Sequence, residues 1–160
     1  MATQQEKAWL GVDPGATGAL ALIGDQGTVF VLDWPGDEQA LAHKLWEIQL
    51  DYDVQGAVLE YQQAFPQQGV SSTFKTGMNY GTWLGAMAIL RWPVRIVRPT
   101  AWKKGMCYPS SKGAAGKKAT KEYSLTLARR AFPQLAEDLK RKKDHNRAEA
   151  LLLARIARSG

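Results

Sequence analysis

Ala8-Trp9-Leu10-Gly11-Val12-Asp13-Pro14-Gly15-Ala16-Thr17-Gly18-Ala19-Leu20-Ala21-Leu22-Ile23 is the stretch whose reading decides the fold. Its first part, Ala8–Val12, is an apolar run stopped by Asp13-Pro14-Gly15, and it reads as a buried strand ending in a turn. Gly18–Ile23 reads as a second strand. Gly24-Asp25-Gln26-Gly27 is a turn, and Thr28–Asp33 returns as a third strand. Together these segments predict an antiparallel meander with short hairpin connections.

Beyond the meander the apolar period changes. Asp37–Leu50 has apolar residues at 41, 45, 46, 48 and 50 and reads as a helix. Gln55–Glu60 is a fourth strand, residues 61–70 are loop-like, and Ser71–Leu90 is the longest helical candidate. Pro93–Arg98 is a fifth strand, and Thr100 is expected to cap a short helix through Lys104. Residues 105–116, rich in Gly and Ser, read as a loop. Ala119–Ala131 and Asp144–Arg158 are the last helices. This order predicts an α/β fold, a mixed five-stranded sheet flanked by helices. Residues 1–160 are expected to form a single domain.

Apolar residues make up 45% of the 160 and charged residues 22%, a composition that suits a packed globular core. No apolar run approaches 18 residues, so no membrane span is expected. The opening Met1–Lys7 lacks the pattern of a secretory leader. Cys107 is alone, which excludes a disulfide framework or a thiolate metal cluster within one chain. A reducing, cytoplasmic setting is therefore expected. The net charge of +6 hides an asymmetry. Residues 1–90 hold three lysines against ten acids, whereas residues 91–143 hold fifteen Lys/Arg against three. A basic block of that size predicts a polyanionic partner, most simply nucleic acid.

Asp13 and Glu60 each close an apolar strand. A charge there is costly to bury without a partner, so packing alone is a poor reason for it. From neighbouring strands they would converge at one end of the sheet, as hard oxygen ligands for Mg²⁺ or Mn²⁺. Two such ions roughly 3.5–4 Å apart activate a water and stabilise the leaving oxygen in phosphodiester hydrolysis. The competing reading is that Asp13 merely begins a turn. Glu149 lies in a helix that is apolar almost all round, flanked by Ala148 and Ala150, whose small side chains would let the helix lie close to a sheet.

Four segments carry a resemblance. Leu10–Gly15, Val58-Leu59-Glu60, Val97–Lys103 and Ala148-Glu149-Ala150-Leu151 resemble the RuvC family of Holliday junction resolvases, and Gln67–Ser72 looks like its phage and prophage branch. The resemblance implies a ribonuclease H-like fold, a homodimer, and paired symmetric nicks across four-way DNA junctions with two Mg²⁺ ions per active site, replaceable by Mn²⁺. It aligns Asp13, Glu60 and Glu149 with three family carboxylates. The family usually has an acid or His where this chain has Asn146. Asp144 and His145 are the nearby candidates, and Asp144 is preferred because a hard cation prefers oxygen. His145 stays open as a partner orienting the attacking water.

The family dimerises through the long helix after the second carboxylate. Gly77, Gly81 and Gly85 would then let two helices approach across a two-fold axis, with packing on the chain's own sheet as the alternative. The resemblance also makes Lys103 a contact for the scissile phosphate, with Lys104 beside it, and sets one of Lys117, Lys118 and Lys121 near the cleaved strand. Lys140–Lys143 is expected to grip duplex arms. Phe65 is the candidate for stacking at the junction centre, in competition with Tyr61, Phe74 and a core-packing role. A catalytically inactive adaptor for branched DNA is the other reading. Asp13–Gly18 also resembles the strand–turn of actin–hexokinase-type ATPases, which normally need two such domains.

Overall fold

The computed structural model describes residues 4–15 and 17–160. Met1–Thr3 of the opening segment, and Ala16 within the turn after Asp13, lie outside the described residues. Five strands form one mixed sheet: β1 (Glu6–Asp13), β2 (Ala19–Gly24), β3 (Val29–Asp33), β4 (Tyr52–Glu60) and β5 (Val94–Val97). The order is β3-β2-β1-β4-β5. The pairs β1–β2 and β2–β3 are antiparallel, and β1–β4 and β4–β5 are parallel. This is the expected fold class, with the expected hairpin meander on one side.

Alternation along the strands divides the core in two. Leu10, Val12, Leu20, Leu22 and Leu59 face helices α1 (Glu38–Asp51) and α2 (Val70–Ile89), meeting Leu41, Leu45, Trp83 and Met87. Ala19, Ala21 and Ile23 face the other side, against α4 (Gly113–Ala131) and α5 (His145–Arg158). Val58 is buried there with Leu152 and Leu153. Asp13 alternates with Val12, and Glu60 with Leu59, so both acids point to the α5 side.

α5 lies directly on β1, and Gly11 explains how. A Cβ at Gly11 would run into the backbone of Ala150, Leu153 and Ala154. Ala148, Ala150 and Ala154 are fully buried, as their small size next to Glu149 predicts.

Two local expectations are corrected. The short helix α3 (Pro99–Gly105) takes Arg98 rather than Thr100 as its N-cap, with proline in its first turn. Proline fits there because it lacks only an N–H that the helix would leave unused. Helix α4 begins at Gly113 instead of residue 119. The glycines suggest a loop, but Gly113 takes a positive φ of 69° at the helix start. Gly116 fits where a Cβ would meet the backbone of Ser110 and Ser111. The alanines and lysines between and beyond them are strong helix formers.

The glycine stripe of α2 does not pack on the sheet. A Cβ at Gly77, Gly81 or Gly85 would meet nothing within 4 Å. Trp83 and Met87 take the sheet-facing positions, and the opposite face exposes Val70, Phe74, Met78 and Ile89.

Candidate active site at the carboxyl ends of three parallel strands

Strand register sets the first two acids side by side. Val12 pairs with Leu59 across the parallel β1–β4 ladder, so Asp13 and Glu60 leave the sheet at the same level. On the far side of β4, Glu60 pairs with Val97. Two residues later α3 starts, carrying Trp102 and Lys103 over the same sheet end. Glu149 comes down from the first half of α5, which is pressed onto β1 by the contact at Gly11. The three acids are only 5–6% exposed.

Their electrostatics show that they form one group. Burial, then the charges of Glu149 and Glu60, hold the Asp13 carboxyl well above its ordinary range. Burial and Glu149 push Glu60 up to about 7, against relief from Lys103 and Trp102. Burial works against the Lys103 ammonium, but Glu149, Glu60 and Asp13 outweigh it and raise its pKa. Lys103 Nζ lies 3.0 Å from Glu149 Oε1 and over the rings of Trp102 and Tyr108, 5.2 and 5.6 Å from their centroids.

Each acid commits one oxygen to a protein donor. Asp13 Oδ1 accepts from the Gly15 amide at 3.1 Å. Glu60 Oε2 accepts from the Trp102 indole at 2.7 Å. Glu149 Oε1 accepts from Lys103 and from Ser124 Oγ, both at 3.0 Å. Among the described residues, no donor is assigned to Asp13 Oδ2 or Glu149 Oε2, and Glu60 Oε1 has only Gln62 at 3.5 Å. Among the described residues no buried side-chain nitrogen or oxygen lacks a partner.

That donor set suits a divalent hard cation. Three carboxylates are offered, and among the described residues the half-buried Lys103 ammonium is the cation set against them. The acids are near enough to act on one another's protonation. Even so, no trio of His, Cys, Asp or Glu side chains among the described residues is drawn into a single coordination sphere. Lys103 is the cation that lies against Glu149 in this arrangement.

Asp144, expected as the fourth carboxylate, is not brought to the site. It accepts from the Arg141 amide at 2.7 Å and from its guanidinium at 2.8 Å. Burial works to raise its pKa, but these bonds outweigh it and hold the carboxyl low. The reason is backbone geometry: Asp144 ends a short 3₁₀ turn (Lys142–Asp144) that closes back on Arg141. His145 Nδ1 lies 3.2 Å from the Lys142 carbonyl. Asn146 Nδ2 donates to the Thr17 hydroxyl at 2.6 Å and to its carbonyl at 3.0 Å, tying α5 to the turn that follows Asp13.

Lys104, Lys117, Lys118 and Lys121 are exposed, the last three in the first half of α4. Phe65 is 62% exposed, in a turn where its carbonyl accepts from the Gln68 amide at 2.9 Å, and this excludes the core-packing reading. Phe74 is also exposed, and Tyr61 stacks edge-on with Tyr80. Sequence reasoning missed the supporting roles of Trp102, Tyr108 and Ser124. One signal was available for Ser124: it falls with Thr120 and Ala128 on a buried stripe of α4, and a polar residue on such a stripe needs a partner.

No family model matches the chain. Over 96 residues, 60% of its length, it is 31% identical to "Holliday junction resolvase MOC1, chloroplastic" of Chlamydomonas reinhardtii, and it spans 10% of that protein's length. Among solved structures it is similar to Thermus thermophilus RuvC in complex with a Holliday junction substrate, with a TM-score of 0.60 and 18% identity over 92% of this chain and 90% of that one. A second Thermus thermophilus RuvC structure gives 0.54 and 20% with the same coverage. The fold of this chain is RuvC-like, that of a ribonuclease H-like sheet.

Proposed function

We propose that this chain is a metal-dependent endonuclease that resolves four-way DNA junctions by paired symmetric nicks. The observation that carries the reading is the meeting of Asp13, Glu60 and Glu149 beside Lys103 at one open end of a RuvC-like sheet. The relative named a Holliday junction resolvase and the neighbour in complex with a junction support it.

Asp13, Glu60 and Glu149 are the residues that would hold the divalent ions, two Mg²⁺ or Mn²⁺ in this reading. When bound, such ions supply an activated water and charge neutralisation at the leaving oxygen. The chain's own residues do the rest. The three carboxylates present their oxygens together at the sheet end. Lys103 turns its ammonium from Glu149 to the scissile phosphate. Lys104, Lys117, Lys118 and Lys121 hold the backbone of the cut arm. Phe65 stacks on bases at the junction centre, a contact worth about 1–3 kcal/mol per base. The exposed apolar and glycine face of α2 supports a two-fold dimer, which would present two equivalent sites to a two-fold substrate.

The test is cleavage of a synthetic four-way junction with Mg²⁺. The expected result is two symmetric nicks, with Asp13→Asn abolishing cleavage while junction binding survives. Equal cutting of linear duplex would remove the junction selectivity. One observation favours the second reading, an inactive branched-DNA adaptor: Asn146 and Asp144 are both engaged elsewhere, leaving three carboxylates. That reading predicts no cleavage at any Mg²⁺ or Mn²⁺ concentration.

A further inference from the structure

We propose that Ser124, held by Tyr108, is a positioning residue for Glu149, fixing one carboxylate oxygen so that the other stays presented at the mouth of the site. This role rests on the nuclease reading of the three carboxylates. Ser124 is fully buried in α4, the helix whose exposed first half carries Lys117, Lys118 and Lys121. Its Oγ lies 3.0 Å from Glu149 Oε1, 3.0 Å from the Thr120 carbonyl and 2.9 Å from the Tyr108 hydroxyl.

A serine hydroxyl has one proton to donate and lone pairs to accept. Thr120 and Glu149 therefore compete for that proton, and the Tyr108 hydroxyl donates to Ser124 Oγ when it is given to Glu149. A hydrogen bond to a carboxylate is the stronger of the two alternatives. The Tyr108 ring is itself fixed, edge-on to Trp102 at 5.4 Å and to Tyr123 at 4.9 Å. Trp102 in turn donates to Glu60. One scaffold of aromatic rings thus orients two of the three carboxylates.

Lys103 shares Oε1 with Ser124 but sits on a long flexible stem, and in the proposed reaction it leaves for the phosphate. Ser124 stands on a packed helix and stays. After Lys103 departs, Ser124 alone keeps Oε1 engaged and Oε2 turned outward. Partners behind a metal ligand typically change metal affinity or activity by about 10–100-fold when removed.

The experiment is a calorimetric titration of Mn²⁺ into the purified full chain without DNA, alongside the Mn²⁺ dependence of junction cleavage and junction affinity in EDTA. For Ser124→Ala, Mn²⁺ affinity is expected to fall about 10-fold and the half-saturating Mn²⁺ for cleavage to rise by a similar factor. The cleavage rate at saturating Mn²⁺ and the junction affinity are expected to stay near those of the unaltered chain, because the loss falls on metal binding and not on the metal-bound complex. Tyr108→Phe keeps the ring packing and is expected to shift Mn²⁺ affinity in the same direction by a smaller factor. It carries the test alone if Ser124→Ala does not fold. Unaltered Mn²⁺ affinity in both folded variants would overturn the role of Ser124, as would a parallel loss of junction affinity and saturated rate. If the unaltered chain neither binds Mn²⁺ nor cuts junctions, the nuclease reading falls, and with it the role.

Discussion

At Glu60, burial and the neighbouring charge of Glu149 raise the carboxyl from 4.5 to about 7. Between those two values the folded chain binds more protons than the unfolded one, so stability without divalent ions falls as pH rises through that window. The prediction is a melting temperature, measured in EDTA, that is lower at pH 8 than at pH 5.5. Glu60→Gln removes the buried charge while keeping an acceptor for Trp102, and should raise stability at pH 8 by about 1–3 kcal/mol. Added Mn²⁺ should stabilise the unaltered chain more at pH 8 than at pH 5.5, because ionised carboxylates are the ligating form. A pH-independent melting temperature would mean that Glu60 does not share a buried acidic site.

Helix α5 and strand β1 touch backbone to backbone at Gly11, and this contact sets how far Glu149 stands from Asp13. Gly11→Ala must push the helix off the strand. It is expected to cost about 3 kcal/mol or more, at the upper end of overpacking effects, and to abolish cleavage even where the chain still folds. Wild-type unfolding by urea would show that α5 is not seated there. For α2 the prediction concerns assembly. Phe74 is exposed on the glycine face, so Phe74→Glu should leave the stability of a single chain within about 0.5 kcal/mol. Under the dimer reading it shifts the mass seen by light scattering from two chains to one. A mass of one chain before the substitution would remove α2 as a dimer face.

Across the whole molecule, charge and chemistry are divided along the chain. The acids that form the site come mainly from the acidic first part, residues 1–90, and the lysines proposed to hold DNA come from the basic part that follows. Replacing Lys117, Lys118 and Lys121 together by Gln should weaken junction binding and lower the slope of log affinity against log salt by about 2–3, from counterion release of about 0.9 per phosphate contact. The half-saturating Mn²⁺ concentration should stay unchanged. An unaltered salt slope would show that α4 faces away from the backbone.

Much of this was legible in the residues. The apolar run Ala8–Val12 and its stop at Asp13, the strand ending at Glu60, and the alanines around Glu149 determined the sheet, the hairpin meander and three of the four acids expected in the site. These are local patterns: strand alternation and a charge at the end of an apolar run are written in neighbouring residues. Tertiary structure alone decided which groups meet. The register of Val12 with Leu59 levels the two strand acids, and the Gly11 contact brings Glu149 onto them. The 3₁₀ turn gives Asp144 to Arg141 instead of to the site. The side of α4 turned inward selects Ser124. Each of these depends on how one element docks on another, and that depends on residues too far apart in the chain for any local period to record it.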